Sequence, residues 1–253
     1  MTELLTGLTQ AAGLAEGAIL HMAMVFLRVG AAVFLLPAVG EILLPQRIRL
    51  AAAVALTMVV APAVPEGPAP GPAAFLAEAA AGLALGAGLR LMILALQMAG
   101  TIAAQSVSLA QMFSGTGPEP QPIVANALTM AGLALFVATD GVARAAALLV
   151  LSYEVIPPGQ PPDPGMLAQW GVARIGHSFA LAFTLAAPFV LAALLYNLAL
   201  GVINRAMPSL MVSFVGAPAL TLGGLALTAL TAPLLLEVWQ AATTQALSQP
   251  FGP

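Results

Sequence analysis

Long apolar runs alternate along the chain with short clusters of proline and glycine. The apolar runs fall at 14–36, 46–60, 74–113, 123–155, 166–207 and 209–240. Three clusters dense in helix breakers separate some of them: APAVPEGPAPGP at 61–72, SGTGPEPQP at 114–122 and PPGQPPDPG at 157–165. Proline removes a backbone donor and clashes with the preceding turn, so helices end near such clusters. The runs predict an all-α protein of about six apolar helical segments. A helix crossing the bilayer core needs about 20 residues. The third and fifth runs are nearly twice that, and at about 1.5 Å per residue they outrun a membrane of about 30 Å. They are expected to form hairpins or broken helices, or to extend beyond the bilayer against partners. Pro188 and Pro208 are the natural break points in the fifth.

Composition turns these helices into membrane helices. The chain is 60% hydrophobic and 7% charged, with a mean hydropathy of +1.00. Soluble domains carry about 25% charged residues, so this surface is covered by lipid or by other subunits. No charge lies between Arg90 and Glu119, or between Arg205 and Glu237. Arginine placement sets Arg47, Arg49 and Arg205 toward the cytoplasm, with Glu66 and Asp163 opposite. Six spans then leave both termini outside. MTELLTGLTQ has no positive n-region, so a cleaved signal peptide is not expected.

Several chemistries are excluded. There is no cysteine, hence no disulfide, thiolate zinc site or iron–sulfur cluster. Lysine is absent, so no Walker A or Schiff-base lysine exists. His21 and His177 are too few for an HExxH site. Seven arginines make no basic patch, and nucleic acid is not an expected partner.

The charges inside apolar runs are Arg28, Arg90, Asp140, Arg144 and Arg174. A charge facing lipid at the bilayer centre costs at least roughly 2.5–3.5 kcal/mol, so these residues should face protein or water. Asp140 and Arg144, spaced i, i+4, can pair on one helix face. An ion pair tying helices together is the favoured reading, and a proton or ion pathway the alternative. Glu78, Gly82, Gly86 and Arg90 fall at steps of four, as do Asn197, Gly201 and Arg205. Glycine at that spacing admits another helix, and the polar residues can bond across the contact. Gly176-His177-Ser178-Phe179-Ala180 is close to a nucleophile elbow, with His21 a conceivable base, but the elbow needs a strand–turn–helix context and this stretch reads as helix. Gly86-Ala87-Gly88 lacks the rest of a dinucleotide fingerprint.

Order and spacing also carry a family resemblance. Phe26-Leu27-Arg28-Val29-Gly30, Leu36-Pro37 and Leu44-Pro45-Gln46-Arg47-Ile48-Arg49 resemble the FliR family of export-gate subunits of type III secretion systems. The likeness continues through Glu78, Gly82, Gly86 and Gly100, then Leu135-Phe136 and Asp140-Gly141, and Ser152-Tyr153 before Pro157. It ends in Ala187-Pro188, Asn197 and the stretch 200–208, LGVINRAMP. Ser209, where the family usually has glutamine, and Thr139-Asp140-Gly141, where it often has Asn-Gly-His, depart from the pattern.

The resemblance implies a single helical export-gate domain over 1–253 with no enzymatic activity and no cofactor. It places the protein in the bacterial inner membrane, as a multi-pass component of the flagellar basal body. The implied partners are FliP-like and FliQ-like subunits, an FlhB-like switch protein, unfolded export substrates and membrane lipid. It casts Met112, Phe113, Ser114 and Gly115 as a pore plug. It also casts Arg28, Arg47, Arg49, Glu78, Arg90, Asp140, Arg144, Asn197 and Arg205 as contacts between helices or subunits. A polytopic transporter of ions or small molecules is the rival, and an intramembrane serine protease the third possibility. In PAVGEILLPQRIRL, residues 37–50, the chain should bend between two helices with Pro45 starting the second.

Overall fold

The computed structural model describes the backbone of residues 2–67, 71–112, 123–206 and 212–252. Side chains are described from residue 16 onward within these ranges, apart from 107–112, 123 and 212–220. Seven α-helices and one 3-10 turn account for the elements, with no strand among the described residues. They are α1 (Thr2–Leu35), α2 (Gln46–Val60), α3 (Pro72–Met112), α4 (Ile123–Ala138), α5 (Gly141–Val155), α6 (Pro164–Ala206) and α7 (Val212–Ser248). The 3-10 turn, Ala61–Ala63, follows α2 directly.

Local sequence explains several boundaries. Pro45 occupies the N-cap of α2 with an extended ψ of 141°, one residue before the helix. Pro72 opens α3, where a missing N–H costs least. Asp163 caps α6: its Oδ1 accepts from the Met166 N–H at 2.7 Å, and Pro164 fills the first helical position. Each satisfies or avoids an orphan donor of the first turn.

Two expectations about breaks are corrected. The fifth run does not break at Pro188, which lies inside the continuous 43-residue α6. Proline is tolerated in apolar helices where neighbouring groups re-satisfy the backbone. The fourth run does break, at residues 139–140, where α4 and α5 bend by 69°. No proline causes this. Asp140 adopts the left-handed region, φ 57°, at the N-cap of α5, a conformation that asparagine and aspartate tolerate best after glycine.

Among the described residues, five helices are long and apolar enough to cross a membrane, or six if the bent pair counts as one span. Their hydroxyls bond inward along their own helix. Thr57, Thr101, Ser106, Thr129, Thr184, Thr228, Thr231 and Thr243 each donate to the carbonyl four residues earlier. A hydroxyl satisfied within its helix exposes no unpaired donor to lipid.

The chain forms two compact units. The first comprises residues 1–90, 136–174 and 244–253, the second 91–135 and 175–243. In the first unit, α1 and α2 pack together, and α1 lies against the start of α3. A Cβ on Gly82 would sit 2.1 Å from the Arg28 carbonyl oxygen, and one on Gly86 2.6 Å from that of Ala32. Position numbers rise together along the two helices, so α1 and α3 run parallel. In the second unit the order reverses: Gly100 meets Ala125 and Gly132 meets Leu96, so α3 and α4 run antiparallel. Trp239 of α7 is fully buried there and donates from Nε1 to the Met92 carbonyl at 2.7 Å.

Candidate functional site

The polar centre of the first unit is built on Arg28 and Glu78, both 0% exposed. Arg28 forks onto the carboxylate, with Nε 2.7 Å from Oε2 and Nη2 3.2 Å from Oε1. Its Nη2 also donates to the Ile156 carbonyl at 3.0 Å, and Nη1 to the Ser152 hydroxyl at 3.1 Å. The guanidinium carbon stands 3.6 Å from the centre of the Tyr153 ring, a cation–π stack. The Tyr153 hydroxyl donates to Glu78 Oε2 at 3.2 Å, and the Gly159 N–H to Oε1 at 2.7 Å. The Ser152 hydroxyl in turn donates to the Leu149 carbonyl at 2.6 Å. Both oxygens of Glu78 thus accept twice.

Four segments meet here: α1, α3, α5 with its C-cap residue Ile156, and the proline-rich loop at Gly159. An isolated buried charge costs several kcal/mol, and a pair is tolerable only with good geometry and satisfied remaining lone pairs. This network meets both conditions. Gly159 has φ +75°, and a Cβ there would press on Met24 and Ala74 at 3.2 and 3.3 Å, so glycine is required both by conformation and by space.

The stripe on α3 faces this centre along its length. Glu78 takes Arg28, Gly82 and Gly86 touch the α1 backbone, and Arg90 pairs with Glu41 in the link between α1 and α2. That link turns tightly: Ala38 has φ 69°, and a Cβ on Gly40 would lie 2.6 Å from the Phe34 carbonyl oxygen.

The remaining expected residues are scattered. Asp140 does not pair with Arg144. It sits in the α4–α5 bend, outside the helical geometry that an i, i+4 pair requires; its carbonyl accepts the Arg144 N–H at 2.9 Å. The Arg144 side chain is exposed and reaches the Thr244 hydroxyl at 3.4 Å. Arg174 is buried with its guanidinium 5.8 Å from the Trp170 ring centre. Arg47 is exposed, while Arg49 is partly buried and donates from Nε to the Leu44 carbonyl at 3.2 Å. In the second unit, Asn197, Gly201 and Arg205 are exposed, and no atom of the described residues lies within 4 Å of a Cβ built on Gly201. Ser178 is buried within the continuous α6, without the strand–turn–helix of a nucleophile elbow, and the His21 ring nitrogen Nε2 is spent 3.1 Å from the Ala61 carbonyl. Met112 closes α3, its side chain outside the described residues, as are Phe113, Ser114 and Gly115 entirely.

Sequence reasoning assigned no role to Ser152, Tyr153, Ile156 or Gly159. A usable signal existed for two of them: Ser152 and Tyr153 are adjacent hydrogen-bonding side chains inside the apolar helix α5.

Fold and polar centre together define a multi-pass helical membrane protein with a buried ion pair at the meeting of three of its helices. Residues 19–246 match the family described as bacterial export proteins, family 1. The chain is similar to the flagellar biosynthetic protein FliR of Caulobacter vibrioides, 34% identical over 226 residues, which cover 86% of this chain and 90% of that protein. It is 29% identical to the flagellar biosynthetic protein FliR of Escherichia coli and to that of Pectobacterium carotovorum, over 83% of this chain and of each relative. The chain belongs to the FliR family of bacterial export proteins, and is a membrane protein of flagellar biosynthesis and protein export.

Proposed function

We propose that this chain is a non-enzymatic core subunit of the flagellar type III export gate in the bacterial inner membrane. It assembles with FliP-like and FliQ-like subunits, adjoins an FlhB-like switch protein, and helps to form the channel for unfolded flagellar substrates. Residues 1–253 act as one gate domain, with Met112, Phe113, Ser114 and Gly115 as the plug. The observation that carries the reading is likeness to flagellar FliR along 86% of the chain. A second feature supports it. On α6, Phe183, Leu191, Leu194, Leu195, Leu198 and Val202 are all exposed, and α6, with 43 residues, has about twice the length that one bilayer crossing uses. Helices of that kind fit a subunit covered on several sides by other helices.

Copurification tests the assembly. The tagged chain is expressed with its neighbouring membrane genes, extracted in mild detergent, and its companions identified by mass spectrometry. A stable complex with FliP-like and FliQ-like proteins is expected. A monodisperse monomer or homodimer without them would sink the reading and bring the transporter forward.

A further inference from the structure

The first unit carries an open groove of about 440 Å³ between α1 and α2, within the roughly 300–1,000 Å³ range of ligand pockets. On α2 the groove is lined by Gln46, Arg49, Leu50 and Ala53. These are spaced i, i+3, i+4 and i+7, so they share one helix face. That face is polar and cationic in the first turn and apolar in the next, over about 10 Å of helix. From α1 come apolar residues, including Phe26, Gly30 and Phe34. Phe34 and Leu50 are exposed by 60% and 58%, so the groove offers apolar surface to an occupant.

The charge at the polar end is uncompensated. Arg49 engages the chain through Nε alone, and among the described residues its two terminal nitrogens have no partner. Arg47, two residues earlier, makes no ion pair or hydrogen bond among the described residues. The first turn of α2 has no acidic residue, and Glu41, the nearest carboxylate in sequence, is taken by Arg90. A second groove, about 530 Å³ between α3 and α6 in the other unit, has no charged residue in its lining and so selects no headgroup.

We propose that the α1–α2 groove binds one anionic phospholipid, with an acyl chain along Phe26, Gly30 and Phe34 and the phosphate at Arg49. Guanidinium suits phosphate through paired N–H donors, and basic pockets between membrane helices on the cytoplasmic side favour anionic headgroups. An apolar helix in the same place would leave Arg49 without a counter-charge. The site is independent of the export-gate reading.

The full chain, extracted from native membranes and stripped of lipid, is titrated with phosphatidylglycerol and with phosphatidylcholine of the same acyl chains. Bound lipid is counted by native mass spectrometry. One phosphatidylglycerol per chain is expected in preference to phosphatidylcholine. Arg49→Gln should weaken phosphatidylglycerol binding roughly fivefold and leave phosphatidylcholine binding unchanged. Gly30→Leu should weaken both, because a Cβ there meets only Phe26 Cζ at 3.9 Å and the added side chain fills the groove rather than the core. Equal retention of the two lipids, or undiminished phosphatidylglycerol binding by Arg49→Gln, overturns the proposal. A photoreactive phenylalanine at position 34, irradiated in native membranes, gives a readout that needs no refolded variant. Crosslinks to phospholipid support the site, and crosslinks to protein alone overturn it by making the groove a subunit interface.

Discussion

At Arg28 the four hydrogen bonds and the Tyr153 ring leave the guanidinium almost wholly engaged, and Glu78 has both oxygens doubly occupied. Neither charge reaches solvent. The energetic consequence is asymmetric. Removing one partner strands the other charge, which costs about 3–5 kcal/mol, whereas replacing both by apolar residues is often near neutral. Arg28→Leu alone and Glu78→Leu alone should therefore each lower the unfolding free energy in detergent by about 3–5 kcal/mol. The double variant should recover most of that loss. Additive losses in the double variant would mean that the two residues stabilise the protein separately. Gly159 is the third element of this centre. With φ +75°, Gly159→Ala should cost roughly 1–2 kcal/mol, more than an alanine substitution in the loop at exposed Gln160. Reversible chemical unfolding of the two variants side by side gives the comparison.

Among the elements, α3 orders the first unit through its stripe of Glu78, Gly82, Gly86 and Arg90, which meets α1 and the link after it. Gly82→Leu would place a Cβ 2.1 Å from a backbone carbonyl that cannot move aside on its own. The helices must separate, and Glu78 then leaves Arg28. A loss of about 3 kcal/mol or more is expected, seen as a lowered melting temperature; a melting temperature matching wild type would show that α1 and α3 are not pressed together at this point. The stripe itself was legible in the sequence, since four-residue spacing puts its members on one side of a helix. Its partners were not. Arg28 lies 50 positions from Glu78, Tyr153 75 and Gly159 81, and pairing over such separations leaves no local pattern. Helix breaks were legible only in part. The proline-rich clusters at 61–72 and 157–165 marked two connections, and the one at 114–122 lies outside the described residues; Pro188 overstated a break and Asp140 concealed one, because a left-handed residue bends a chain without announcing itself as proline does.

For the whole molecule, the exposed stripe Asn197, Gly201 and Arg205 behaves unlike the buried one on α3. Both have glycine between polar residues at steps of four, yet Gly82 is pressed against a backbone and Gly201 has open space around it. The same pattern thus serves one contact inside the chain and leaves a second face of α6 open, with Leu194, Leu198 and Val202 exposed beside it. If that face is where another gate subunit packs, Gly201→Leu should separate folding from assembly. The purified variant should melt as the wild type does, because among the described residues its new side chain meets nothing of its own chain. Recovery of FliP-like and FliQ-like proteins with the tagged variant should fall severalfold, and swimming on soft agar should be lost with it. Gly82→Leu, by contrast, should lower the amount of the chain itself before any partner is involved. Normal complex yield and normal swimming for Gly201→Leu would remove the α6 stripe from the assembly surface and move the search for it to the exposed leucines of α7, Leu222, Leu225, Leu230 and Leu234.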